Sequence, residues 1–172
     1  TGGLINPLES DRGTRRMGNQ DQDIRNIEAG MALYADSIDS RDWTALDGVF
    51  DEEIETGASS AAVRGRNAFV AMIRRYLDSC GPTQHLLGQT RIESLADDRA
   101  TSVTAFRAFH CDRPEAIRTF EVLGRYRVTW RRTAAGWRAT QWRYEMIAQI
   151  GDPGVLGAPV RAPKQAPGSP GG

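Results

Sequence analysis

Apolar residues recur at helical spacing in the first half of the chain and crowd into strand-like runs in the second. From Ile24, the positions Ile27, Met31, Tyr34, Ala35 and Ile38 fall on one stripe, which predicts an amphipathic helix. Ser40 or Asp42 is a candidate cap for a second helix carrying Trp43, Leu46, Val49 and Phe50 on one side. Phe69, Val70, Ile73, Tyr76 and Leu77 predict a third over about residues 67–79, stopped by Gly81-Pro82. Residues 84–95, 99–111, 118–132 and 136–149 are long runs rich in β-branched and aromatic side chains, parted by turn-like segments. Helices first and antiparallel strands second define an α+β domain, its helices packed on one face of a curved sheet.

The flanks break the pattern. Residues 1–22 are polar, rich in Gly, Arg and Asp, and read as a flexible extension within which Met17 is a candidate start. Residues 151–172 hold six Gly and five Pro and read as a flexible tail, so the expected folded unit is residues 23–150. Composition narrows the function. Lys plus Arg and Asp plus Glu stand at 22 each, so no net charge draws the chain to nucleic acid or anionic lipid. No apolar run approaches a membrane span or a signal-peptide core, and the expected compartment is the cytoplasm. Two cysteines, Cys80 and Cys111, and two histidines leave little from which to build a zinc site. There is no Gly-rich dinucleotide or phosphate loop, and neither Ser59-Ser60 nor the cysteines sit in a nucleophile motif. The expectation is chemistry without metal or cofactor.

Two stretches carry candidate chemistry. In Tyr34-Ala-Asp-Ser-Ile-Asp-Ser-Arg-Asp-Trp43, helix phase sorts the acids. At about 100° per residue from Met31, Asp39 lies about 80° away, on the edge of the buried stripe, and Asp36 about 140° away, toward solvent. Asp39 is therefore the acid best placed to look into a cavity beneath the helix; ending that helix or capping the next is its alternative role. The second stretch is a hairpin. If Asp97-Asp98 form a two-residue turn, His85 and His110 lie directly opposite, beside Leu87, Gln89, Thr104, Phe106 and Ala108, with Cβ atoms about 4.5–5.5 Å apart. An odd turn would separate them, and a lone histidine at a strand end is more often a hydrogen-bonded or half-exposed residue than a catalyst. Facing each other, they cannot comfortably both be cationic, so at least one is neutral near pH 7 and fit to take a proton. A carboxylate on its other ring nitrogen would fix the tautomer, and Asp39 is the candidate. Trp130, Trp137, Trp142 and Tyr144 read as core or pocket wall.

On these residues the chain resembles the SnoaL-like branch of the nuclear-transport-factor-2-like superfamily. The stretch from Tyr34 to Trp43 resembles the first-helix segment of the scytalone dehydratases. Thr83-Gln-His-Leu-Leu-Gly-Gln-Thr-Arg91 resembles their first long strand, and His110 stands at the place of their second pocket histidine. The resemblance covers residues 24–150 and implies a cone-shaped barrel with three N-terminal helices on the concave face of the sheet. It also implies a closed apolar pocket and cofactor-free elimination of water. By the same resemblance, Asp39 pairs with His85, and His110 helps to hold the departing or attacking oxygen. Bile-acid dehydratases and lindane dehydrochlorinases are similar in joining an acid at the place of Asp39 to a histidine at that of His85. The bile-acid enzymes also carry a tyrosine where Tyr34 stands. Five residues lie about 140° apart on a straight helix, so Tyr34 and Asp39 converge only if the helix ends near Asp39.

The chain departs from the scytalone pattern at Ile38, where those enzymes have tyrosine, and near Ala58, where no second tyrosine is found. Their Ser and Asn on the third long strand correspond, within one residue, to Arg125 and Arg127, which either face inward to bind an anionic or carbonyl oxygen or lie exposed. The expected substrate is thus a small hydrophobic carbonyl compound other than scytalone: polyketide-, terpenoid- or steroid-like. The expected reaction is dehydration or isomerisation, with His85 as base, Asp39 orienting it, and Tyr34 and His110 polarising the carbonyl or protonating the leaving hydroxyl. Phe106, Ala108, Trp142, Tyr144 and Met146 are the expected pocket wall. A cyclase or epoxide hydrolase using the same dyad, or a non-catalytic ligand-binding or assembly module, are the alternatives. Arg alternating with Tyr, Val and Trp from Arg125 to Trp130 points to a homo-oligomer through the sheets, a trimer by resemblance and a dimer next.

Overall fold

The structure, a computed structural model, describes residues 7–57, 62–113 and 117–157, with side chains from residue 19 onward. Helix α1 (Pro7–Ser40) buries the expected stripe of Ile27, Met31, Tyr34, Ala35 and Ile38. It begins well before Ile24, with Pro7 in its first turn, where the missing N–H costs no helical bond. Thr1 to Asn6 of the expected extension lie outside the described residues. The buried Asp23 accepts a hydrogen bond from Trp137 Nε1 at 3.0 Å and another from Arg132, tying α1 to the sheet.

The expected second helix is instead a 3-10 turn, Trp43–Gly48, followed by strand β1 (Phe50–Thr56). Asp42 caps the turn by accepting from the Ala45 N–H at 3.2 Å. After Gly48 the chain leaves the turn, and Val49 and Phe50, which suit extended backbone, enter the core. Helix α2 (Arg66–Leu77) buries Phe69, Ile73 and Leu77.

Strands β2 (Thr83–Leu95), β3 (Arg99–Cys111), β4 (Thr119–Thr133) and β5 (Gly136–Gly151) form an antiparallel meander. β1 joins it parallel to β5, giving the order β1-β5-β4-β3-β2. The curved sheet does not close, so the expected cone-shaped barrel is an open five-stranded sheet with its helices on one face. After β5 the chain makes a 3-10 turn, Pro153–Val155; Val155 is buried and the Gly157 N–H donates to the Tyr76 carbonyl at 3.1 Å. Residues 158–172 of the expected tail lie outside the described residues. No helix of the described residues is long and apolar enough to cross a membrane.

The β2–β3 hairpin turns at Asp97-Asp98, closed by Ala96 N–H donating to the Arg99 carbonyl at 2.8 Å. Its register is not uniform. Leu95 lies opposite Ala100, but shifts between Ile92 and Ser94 and between Leu87 and Thr90 bring His85 opposite Ala108 and His110 opposite Thr83. The expected direct pairing of His85 with His110 is thus replaced by a diagonal one. Each shift puts one extra residue into β2; two of them restore the side-chain phase, and both histidines face inward. Gln89, expected on the inner face, is exposed, and Thr90 faces in instead, its hydroxyl 2.9 Å from that of Thr104.

Candidate active site

Inner-face residues of β3, β4 and β5, with α1 and α2 above them, line a cavity of about 420 Å³ that is half open to solvent rather than closed as expected. Tyr34, Phe106, Ala108, Trp142, Tyr144 and Met146 line it, as do both histidines. Gly124 on β4 makes one wall possible: a Cβ there would stand 2.8 Å from the Phe106 ring and 2.4 Å from the Glu145 carbonyl. Without it, Phe106 stacks on Tyr126 with ring centroids 4.1 Å apart.

The polar end of the cavity is built where the last turn of α1 meets the first residues of β2. Asp39 Oδ1 accepts from His85 Nδ1 at 2.7 Å and from the Thr83 hydroxyl at 2.8 Å, and its Oδ2 accepts from the His85 backbone N–H at 2.7 Å. Burial pushes the carboxyl up. The hydrogen bonds and charge of His85, with the Thr83 hydroxyl, outweigh that and hold it below the usual carboxylate range. An ionised Asp39 fixes the proton of a neutral His85 on Nδ1 and leaves Nε2 with a lone pair.

His110 stands beside it, ring centroids 5.5 Å apart and perpendicular. Its Nδ1 donates to the Phe120 carbonyl at 3.0 Å, so the neutral ring also presents an unprotonated Nε2. Burial, then repulsion from His85, push its pKa down to about 4. His110 is therefore neutral at pH 7, an acceptor rather than a donor.

The donor on the other side is Tyr34, 5 % exposed and seated against Trp142 with centroids 4.4 Å apart. Burial pushes its phenol up, and the Tyr126 hydroxyl bears on it from the side. Tyr34 does not bond Asp39; α1 continues to Ser40, and Tyr34 lines the cavity whereas Asp39 stands behind His85. Tyr126 was not among the expected site residues, although it shares the strand alternation of the buried Val122 and Val128. The same alternation turns Arg125 and Arg127 to the outer face, which corrects their candidacy as substrate ligands. Arg127 pairs there with Glu145 at 2.7 Å and Glu93 at 3.5 Å. Thr83 was also missed; its spacing from His85 on one strand face was the available signal. Among the described residues no three of His, Cys, Asp and Glu converge to hold a metal ion.

The comparisons agree with this architecture. A scytalone dehydratase candidate from Novosphingobium aromaticivorans superposes with a TM-score of 0.71, at 18 % identity over 85 % of this chain and 94 % of that one. A type 2 hexachlorocyclohexane dehydrochlorinase, LinA, gives 0.63 at 13 % identity over 86 % and 96 %. An NTF2-like superfamily protein from Salmonella enterica serovar Typhimurium gives 0.64 at 18 % identity over 75 % and 94 %. At these identities the likeness is one of fold. No curated protein sequence matches the chain. Residues 20–143, which hold α1 from its middle through the first half of β5, match the SnoaL-like domain, and the chain belongs to that family, on the NTF2-like fold.

Proposed function

We propose that the protein is a cofactor-independent dehydratase or isomerase acting on a small hydrophobic carbonyl compound, polyketide-, terpenoid- or steroid-like. One observation carries this: His85, bonded through Nδ1 to Asp39, stands on the wall of a cavity otherwise lined mainly by apolar and aromatic groups. Nε2 removes a C–H proton next to the substrate carbonyl, and Asp39 stabilises the imidazolium that forms. Tyr34, protonated well above neutral pH, donates to the carbonyl oxygen as charge develops on it. His110, neutral with Nδ1 held by Phe120, accepts from the substrate hydroxyl and orients it; the expected role of proton donor passes to Tyr34 or to the protonated His85. The low polarity of the cavity strengthens each contact. Two structural relatives are named for eliminations, of water and of hydrogen chloride, and support this reading.

A panel of hydrophobic β-hydroxy ketones, read by mass spectrometry for loss of one water, tests it. Turnover that disappears in His85→Ala supports the reading. Binding without turnover in wild type and variant alike returns the protein to a ligand-binding module. We also propose a homo-oligomer formed through the sheets, a trimer or else a dimer, since Leu86 and Ile150 are exposed on the outer face at 55 % and 58 %. Light scattering that gives a monomer at micromolar concentration would sink this.

A further inference from the structure

Arg41 follows α1 with φ 63, in the left-handed region that glycine enters freely and a side chain with a Cβ does not. Its guanidinium ties the end of α1 to the start of β2 and to the turn before it. It donates to the Ile38 carbonyl at the end of α1, to Thr83 Oγ1 at 2.9 Å and to the Gly81 carbonyl at 3.2 Å. A cation at a helix C-terminus is favourable in itself, but a helix cap has no need of the Thr83 hydroxyl.

That hydroxyl has one proton. A guanidinium only donates, so Arg41 occupies a lone pair of Oγ1 and leaves the proton for Asp39 Oδ1. With His85 supplying both its ring and its backbone N–H, Asp39 receives three donors and cannot rotate without losing at least one. We propose that Arg41 and Thr83 are positioning residues that lock the Asp39 carboxylate in one orientation and thereby hold His85 as the Nδ1–H tautomer, its Nε2 free. The proposal rests on the reading of His85 as the base and adds what keeps it one. The charged or titratable groups around His85 are Asp39 from α1, His110 from β3, and Arg41 behind Thr83; Arg41 also acts on His110 and Cys80.

The chain has two histidines, so the imidazole nitrogen signals of the ¹⁵N-labelled full chain are few, and His110→Gln assigns them. Wild type should show His85 as a single Nδ1–H tautomer. Thr83→Val should give a mixture with the Nε2–H form, while Thr83→Ser keeps the wild-type signals. Valine is the better strand residue, so a purely structural role for Thr83 predicts the reverse order. Arg41→Gln should mix the tautomers too. Arg41→Gly relieves the left-handed backbone, and its thermal midpoint should hold or rise while the tautomers still mix. With a substrate, Thr83→Val should lower kcat roughly 10-fold at unchanged KM. Wild-type tautomers in Thr83→Val and both Arg41 variants overturn the proposal. The spectra need no substrate, so the two readings fail separately: mixed tautomers with a fully active His85→Ala variant would sink the base and leave the network standing.

Discussion

His85 and His110 are the same side chain at nearly the same depth, and what each Nδ1 meets separates them. At His85 the partner is a carboxylate, whose charge would stabilise the imidazolium of the proposed proton transfer. At His110 it is a backbone carbonyl, which accepts a hydrogen bond but supplies too little charge to offset burial, and the ring stays neutral. In the proposed mechanism, two groups able to take protons thus become one that does and one that holds still. Depth alone does not assign the role; the charge of the partner does.

The sharpest way to break this contrast is to remove the ring beside the carboxylate. His85→Ala should lower kcat by at least roughly 10²-fold with substrate binding nearly intact, as general acid–base catalysis is worth about 10²–10⁴-fold. Asp39→Asn should match it, because the amide cannot stabilise the imidazolium, and the double variant should be scarcely worse than either single one. Additive losses in steady-state kinetics would mean that the two do not act as a unit.

On the other side of the contrast, the folded-state pKa of His110 lies below its unfolded value, so the unfolded chain takes the proton first. The neutral ring's contribution is whole above about pH 6.5 and is lost as pH falls toward 4. At roughly 1.4 kcal/mol per unit, the shift from 6.5 to about 4 is worth about 3 kcal/mol. Urea unfolding should show that acid limb in wild type and not in His110→Gln; an unchanged limb would refute the neutral assignment. The smallest effect belongs to the outer face. Arg127→Ala, breaking exposed ion pairs, should leave the urea midpoint nearly unchanged and turnover unaltered. A loss of rate there would upset the assignment of faces.

Much of this was readable from residue spacing, and the exceptions have physical causes. The four long strands declare themselves through β-branched and aromatic runs, and the α1 stripe through its period, at whose edge Asp39 lies half-buried. β1 escaped because Asp-Glu-Glu between Phe50 and Ile54 reads as solvent, although β1 lies at a sheet edge where such residues are at home. The histidine register rested on a uniform ladder, and Gly88, an isolated glycine within a strand, was the one mark that β2 bulges nearby. Tyr126 was within reach of alternation counting. Arg41 was not, because a left-handed arginine has no sequence signature and acts through tertiary partners alone.

The two bulges of β2 bear on how such a pocket changes over time. A residue lost or gained at the Leu87–Thr90 or the Ile92–Ser94 step alters how sharply the strand bends, yet the ladder on either side keeps its phase. Thr83, His85 and Leu87 would go on looking inward while the wall beside them tightened or relaxed. A single deletion between His85 and Leu87 would instead turn the histidine outward. Insertions and deletions at the bulges are therefore a route by which cavity size drifts across descendants while Thr83 and His85 stay in place.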